Sequence, residues 1–228
     1  MNTSAESESN EYNHVLLFSG ISNQELLPML NCLGSYKKSY KSGEIIILTE
    51  DAVKSLGIIL SGSVKMIKED IWGNKTLLAV MEEGGLFGEI FTCSHAQTAT
   101  VTFIAGREAK ILFLPFEKLW SSCTISCACH HKLTGNLISL LADKNVQLIE
   151  KLEVTTKKTL REKISCFLSI EAQKNNSKYF TVNMGRMELS EFLCVNRSAL
   201  TRELKSMRSE GLIDFDRNTF KIIKNKKN

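Results

Sequence analysis

The stretch CVNRSALTRELKSM, residues 194 to 207, sets two kinds of side chain on a fixed period. On a helix, Leu200, Leu204 and Met207 fall on one face at spacings of four and three, and Arg197, Ser198, Thr201, Arg202 and Lys205 share another. Arginine carries a planar fork of parallel donors that matches two neighbouring acceptors such as the O6 and N7 of guanine. Ser and Thr hydroxyls donate or accept, and lysine reaches bases or phosphates. A merely solvated face would mix signs, but Glu203 is the only acid between Asn196 and Ser209.

Holding that face in place takes a small domain, and the flanking residues supply one. After the linker TTKKT, Ile164, Phe167, Leu168 and Ala172 line one side of a helix, and YFTVNM alternates as a short strand. Gly185 caps RMELSEFLC, whose Leu189, Phe192 and Leu193 point inward; VN makes the turn into the quoted helix; and LIDFDRNTFKII reads as a hairpin around Asp216, Arg217 and Asn218. Two helices joined by a tight turn and followed by a β hairpin make a winged helix-turn-helix, whose second helix enters the DNA major groove by its N-terminal side chains. The candidate DNA-binding set is Asn196, Arg197, Ser198, Thr201, Arg202 and Lys205. Charge points the same way: residues 156–228 hold 16 Lys and Arg against 8 Asp and Glu, and residues 1–155 hold 13 against 17. Such asymmetry suggests two modules, the second facing a polyanion; the bland alternative is a solvated basic tail, KIIKNKKN.

Upstream the pattern changes. NQELLPMLNCL reads as a short helix with Leu26, Leu27, Leu30 and Leu33 at helical spacing. From Gly43 to Pro115, short runs (EIIIL, LGIIL, SVKMI, TLLAV, ATVTFIA, AKILFL) are separated by turns at Gly57, Gly62, Gly73 and Gly84, spaced as in an antiparallel jelly roll. The gaps are too short for the crossover helices of a doubly wound fold. Residues 132 to 158 then read as one long helix along which Thr134, Ile138, Leu141, Asn145, Leu148, Leu152 and Thr155 keep a four-three spacing. That is a coiled-coil seam with one Asn to fix register, and it predicts a parallel homodimer. The alternative is an amphipathic helix packed within its own monomer, with Leu137, Leu140 and Ile149 covering the β domain. The fold class is therefore α+β: an N-terminal β jelly roll, a long helix and a C-terminal winged helix-turn-helix.

EEGGLFGEIF in the β domain, the long helix, and ELSEFLCVNRSALTRELKSMRSEGLI, in that order, resemble the Crp/Fnr family of transcription regulators from about Phe18 to Ile223. Residues 1–17 read as a polar tail, and the resemblance implies an effector-sensing domain of the cyclic-nucleotide-binding type over 18–131. It implies a dimerisation helix and hinge over 132–158 and a DNA-binding domain over 159–228. It also places Arg197, Ser198 and Arg202 on base edges and Arg186, at the start of the preceding helix, near the DNA backbone. The partners implied are double-stranded DNA, a second copy of the chain, a small effector of unknown identity and, as a candidate, RNA polymerase.

The match fails where a nucleotide would be read. Cyclic-nucleotide binders of this family follow a Gly-Glu pair with Arg-Ser-Ala, the Arg pairing with the phosphate. Gly88 and Glu89 are present, but Gln97, Thr98 and Ala99 stand at the second position, and a neutral amide cannot supply that charge-assisted fork. Leu148 and Ile149 occupy positions where the cyclic-AMP binder has hydroxyl residues on the dimer helix. The expected effector-binding set, Gly88, Glu89, Gln97, Thr98, Leu148 and Ile149, is drier and carries no cation to pair with a phosphate. An apolar or aromatic acid, another small metabolite or no ligand at all stays open, and Gly88 and Glu89 read equally as a turn with a structural carboxylate.

CTISCACHH offers a second chemistry. Cys123, Cys127 and His131 recur at four-residue spacing, a set that could hold zinc or iron or sense redox state; the alternative is packed or surface cysteines. No cofactor is legible. An oxygenase in the jelly roll would need clustered His and carboxylate ligands, and His95 is the only histidine between Gly43 and Pro115, so an enzyme is not expected. Of 228 residues, 43% are hydrophobic and 24% charged, no apolar run reaches the roughly 18 residues of a spanning helix, and the seven cysteines come without a secretory signal. A cytoplasmic chain without membrane spans is expected.

Overall fold

The computed structural model of the protein describes residues 11–95, 97–120 and 128–223. The chain divides into two compact units, Met1–Leu140 and Leu141–Asn228.

The first unit opens with a single 3-10 turn, Leu16–Phe18, and helix α1, Asn23–Cys32. A capping box between Ser22 and Glu25 starts α1, which buries Leu26, Met29 and Leu30. Eight strands follow: β1 Tyr36–Tyr40, β2 Ile45–Ile47, β3 Ser55–Ser61, β4 Ser63–Glu69, β5 Lys75–Glu82, β6 Leu86–Phe87, β7 Thr102–Ala105 and β8 Ala109–Pro115. Short helices α2, Glu89–Thr92, and α3, Phe116–Trp120, lie after β6 and β8. The strands form two antiparallel sheets in the orders β1-β8-β3-β6 and β2-β7-β4-β5. Both contribute to one core that includes Ile47, Ile59, Val64, Phe87, Phe103, Ile111 and Phe113. In β3 and β8 the alternate residues Leu56, Ile58, Leu112 and Leu114 are buried too, so these central strands read as unbroken apolar runs. Gly57 is required at its place, because a Cβ there would stand 2.3 Å from the Phe87 ring.

Helix α4, Ala128–Thr155, carries the boundary between the units within its length. Among the described residues it is already helical at Ala128, upstream of residue 132, and Cys129, Leu133 and Leu137 are buried along one face. It ends three residues before the position read from the sequence. The hydroxyl of Thr155 donates to the Lys151 carbonyl at 2.8 Å and Thr159 already caps the next helix. At its first turns the Asn136 amide donates to the carbonyls of Leu17 and Ser19, both at 2.9 Å.

The second unit contains α5 Leu160–Lys174, β9 Tyr179–Thr181, α6 Arg186–Phe192, α7 Arg197–Ser209, β10 Ile213–Asp216 and β11 Thr219–Ile222. The strands form one antiparallel sheet in the order β10-β11-β9. Its core gathers Val154, Ile164, Phe167, Leu168, Phe180, Leu189, Leu193, Leu200, Leu204, Met207 and Phe220, so the apolar faces of α5, α6 and α7 meet on the sheet. Among the described residues no helix is long and apolar enough to cross a membrane.

Candidate nucleic-acid interface

The helix pair α6–α7 is built from local rules. The Glu188 carboxylate accepts from the Gly185 backbone N–H at 2.6 Å at the head of α6. The chain then reverses at Cys194, whose φ of 53° lies in the left-handed region and costs a non-glycine residue roughly 1 kcal/mol. Bonds from Cys194 N–H to the Glu191 carbonyl and from Val195 N–H to the Ser190 carbonyl close this turn. Asn196 caps α7: its side-chain oxygen accepts from the Ser198 N–H at 2.8 Å and from the Ser198 hydroxyl at 2.7 Å. Such caps contribute about 1 kcal/mol. Leu200, Leu204 and Met207 are buried, each contributing about 1.5–3 kcal/mol. Arg197, Ser198, Arg202 and Lys205 are exposed on the remaining face, and Thr201 is half-buried with its hydroxyl on the Arg197 carbonyl at 2.9 Å. The side chains of Asn196 and Thr201 therefore each make a local bond that holds the helix.

What keeps the exposed face positive lies 42 residues upstream of Glu203. The Arg161 guanidinium, on α5, donates through Nε to Glu203, and through Nη1 and Nη2 to the two oxygens of Glu210 at 2.7 and 2.6 Å; Nη2 also reaches the Ser206 hydroxyl at 3.3 Å. The carboxylates of Glu210 and Glu203 raise the arginine's pKa above its ordinary value. Glu203 and Glu210 on this flank are thus both paired to one guanidinium of α5, whereas Arg197, Arg202 and Lys205 make no ion pair among the described residues. Nothing in the local pattern around Arg161 announces this role.

The hairpin β10–β11 turns through Arg217, at φ 47°, and Asn218. Arg186, half-buried at the first position of α6, stacks its guanidinium on Phe215 and Phe220, 5.0 and 5.1 Å from the ring centroids, and donates to the Arg217 carbonyl at 2.7 Å. Burial lowers its pKa. The sequence expectation put Arg186 near the DNA backbone; in the free chain it is packed into the hairpin.

The effector residues fall in both units. Gly88, at φ 78°, is the N-cap of α2, and the Glu89 side chain is buried. Gln97 is exposed at φ 48°, and its carbonyl accepts from the Val53 N–H at 2.8 Å; Thr98 bridges to Ala52. Gly88 lies against the same Val53, so Gly88 and the Gln97 backbone border one residue, and neither supplies a cation. The neighbouring interior is filled by aromatic rings, Phe87 and Phe91 standing 5.2 and 6.2 Å from Phe103. Leu148 and Ile149 belong to the second unit and are exposed. Cys123 and Cys127 lie outside the described residues; His131 is exposed, and the adjacent Cys129 is buried.

Comparison with known proteins agrees with this architecture. The sequence model of the cyclic nucleotide-binding domain matches residues 37–124, and that of the Crp-like helix-turn-helix domain matches residues 162–227. The chain is 25% identical over 198 residues to Electron transport regulator A of Shewanella oneidensis, covering 84% of this chain and 76% of that one. Its fold resembles that of a CooA variant from Carboxydothermus hydrogenoformans, with a TM-score of 0.55 and 16% identity over 87% of this chain and 91% of the other. It likewise resembles the c-di-GMP-responsive global regulator CLP of Xanthomonas campestris, with a TM-score of 0.53 and 16% identity over 87% and 98% of the two chains. A DNA-binding transcription regulator with an effector-binding type of β domain is thereby defined. The chain belongs to the Crp/Fnr family.

Proposed function

We propose that this regulator acts as a homodimer, pairs along α4, reads operator bases through α7, and responds to an effector other than cyclic AMP. The observation that carries the reading is the exposed basic face of α7, whose Arg197, Arg202 and Lys205 have no ion-pair partner among the described residues while Glu203 and the C-cap residue Glu210 are held by Arg161. In this arrangement Arg202 pairs with guanine, Ser198 discriminates less than a carboxylate would, and Lys205 adds reach to a base or phosphate. RNA polymerase is a further candidate partner.

The seam supports a dimer. Ile138, Leu148 and Leu152 expose 56%, 64% and 62% of their surface in the single chain, an apolar stripe that water does not favour. Asn145 is exposed on the same stripe, placed to fix the register of two parallel helices. A C2 pair also suits DNA recognition, since it offers two reading helices to two half-sites.

Three outcomes are expected. Calorimetry should find no binding of cyclic AMP at physiological concentration, because Gln97 supplies no phosphate partner; micromolar affinity that Gln97→Ala abolishes would overturn this. Leu148→Lys should split the dimer in sedimentation and weaken binding to a two-half-site operator; an unchanged dimer means the seam is elsewhere. Arg202→Ala should lower binding to the selected operator by about 1 to 3 kcal/mol per contacted base pair and leave binding to random DNA nearly unchanged. Equal loss on both would show that α7 is not the reader.

A further inference from the structure

The wing hairpin has a sequence-encoded anchor. Phe215 and Phe220 face each other across β10 and β11, and the guanidinium of Arg186 stacks on both. The same guanidinium donates from Nη2 to the backbone carbonyl of Arg217, at the turn of the hairpin. Arg208, from the end of α7, stacks on Phe215 as well, at 5.3 Å, and pairs through Nε with Asp214 at 2.8 Å. Two arginines from the two helices of the motif therefore converge on one wing residue.

Packing alone does not account for an arginine at position 186. A leucine or methionine would cover the two rings without burying a charge, and a cation at the first position of a helix opposes the helix dipole. Nη1 of Arg186 is buried without a hydrogen-bond partner among the described residues, a further cost of the arrangement. The feature that an aliphatic side chain could not reproduce is the directed bond to the Arg217 carbonyl. That bond fixes a turn whose own residue, Arg217, is exposed and held at a positive φ. On its β11 side the hairpin tip is tied to β9, since the Asn218 carbonyl accepts from the Val182 N–H at 2.9 Å and Thr219 pairs with Thr181; Arg217 lies beyond the ladder, and its carbonyl is held by Arg186.

Resting on the proposed reading of DNA by α7, we propose that Arg186 is the positioning residue of the wing: it holds Arg217 where that side chain meets the DNA backbone beside the groove occupied by α7. Arg186 acts here through Arg217. The planarity of its guanidinium matters as much as its charge, so lysine is not an adequate replacement.

A double-mutant cycle in the full-length protein tests this, using an operator selected from random duplex and titrations across a salt series. Arg217→Ala is expected to weaken operator binding about fivefold and to flatten the salt slope by about one unit per half-site. Arg186→Lys, which keeps the charge, should lose as much, and the double variant should lose no more than either single change. Phe215→Leu, which leaves Arg186 charged but removes one stacking surface, should reproduce the loss. In the absence of DNA, amide hydrogen exchange over residues 213–222 should quicken about tenfold in Arg186→Lys while the amides of α7 stay protected. Wild-type affinity and wing exchange in Arg186→Lys, or losses that multiply in the double variant, would overturn the proposal. A protein that selects no DNA sequence would instead overturn the proposed function, and Arg202→Ala, which leaves the wing intact, separates the two failures.

Discussion

The grip of Arg161 on Glu203 and Glu210 determines what α7 can offer to a ligand. A helix carrying Arg197, Arg202, Lys205 and Arg208, with Glu203 within it and Glu210 at its C-cap, offers a weaker positive field if all of them share one surface. Drawing the carboxylates onto α5 leaves Arg197, Arg202 and Lys205 exposed and without an ion pair among the described residues. The guanidinium is well suited to the task, because its fork can take both oxygens of Glu210 while Nε takes Glu203. The pairs are partly exposed, so their value to folding is modest; their consequence is the sign of the surface that remains.

Position follows from the apolar side of the same helix. Leu200, Leu204 and Met207 seat α7 on Phe167, Leu168, Leu189 and Leu193, and the capped turn at Asn196 sets where its first exposed residues begin. The hairpin is tied to the same core through Phe220 and to the helices through Arg186 and Arg208. α7 and the hairpin thus share one core, the kind of common support a sequence-specific interface needs if side chains are to meet base edges within a few tenths of an ångström.

Much of this was legible in the sequence, and the reasons are local. The 3.6-residue period of α7, the short apolar runs set off by turn residues and the order of elements after residue 159 depend on neighbours within a few positions, so the helix-turn-helix, the wing and the β domain could all be placed. The C-terminal end of α4 was less accurate, since Thr155 bonds back to Lys151 and Thr159 already caps the next helix. Interactions between residues far apart in the chain left no trace in periodicity. Arg161 with Glu203, and Arg186 with Phe215 and Phe220, are pairings across 29 to 42 residues, visible only once the chain is folded. The absence of a phosphate-pairing cation at Gln97 could be read directly from the residue type. That aromatic rings fill the adjoining interior could not, because inward alternation does not say which side chains meet.

Selection of bound sequences from random duplex DNA by the full-length protein tests the account most directly. It predicts one enriched motif made of two half-sites related by two-fold symmetry, with their centres about one helical turn, or a whole multiple of it, apart. Enrichment of no motif, or of a single half-site bound without symmetry, would contradict it.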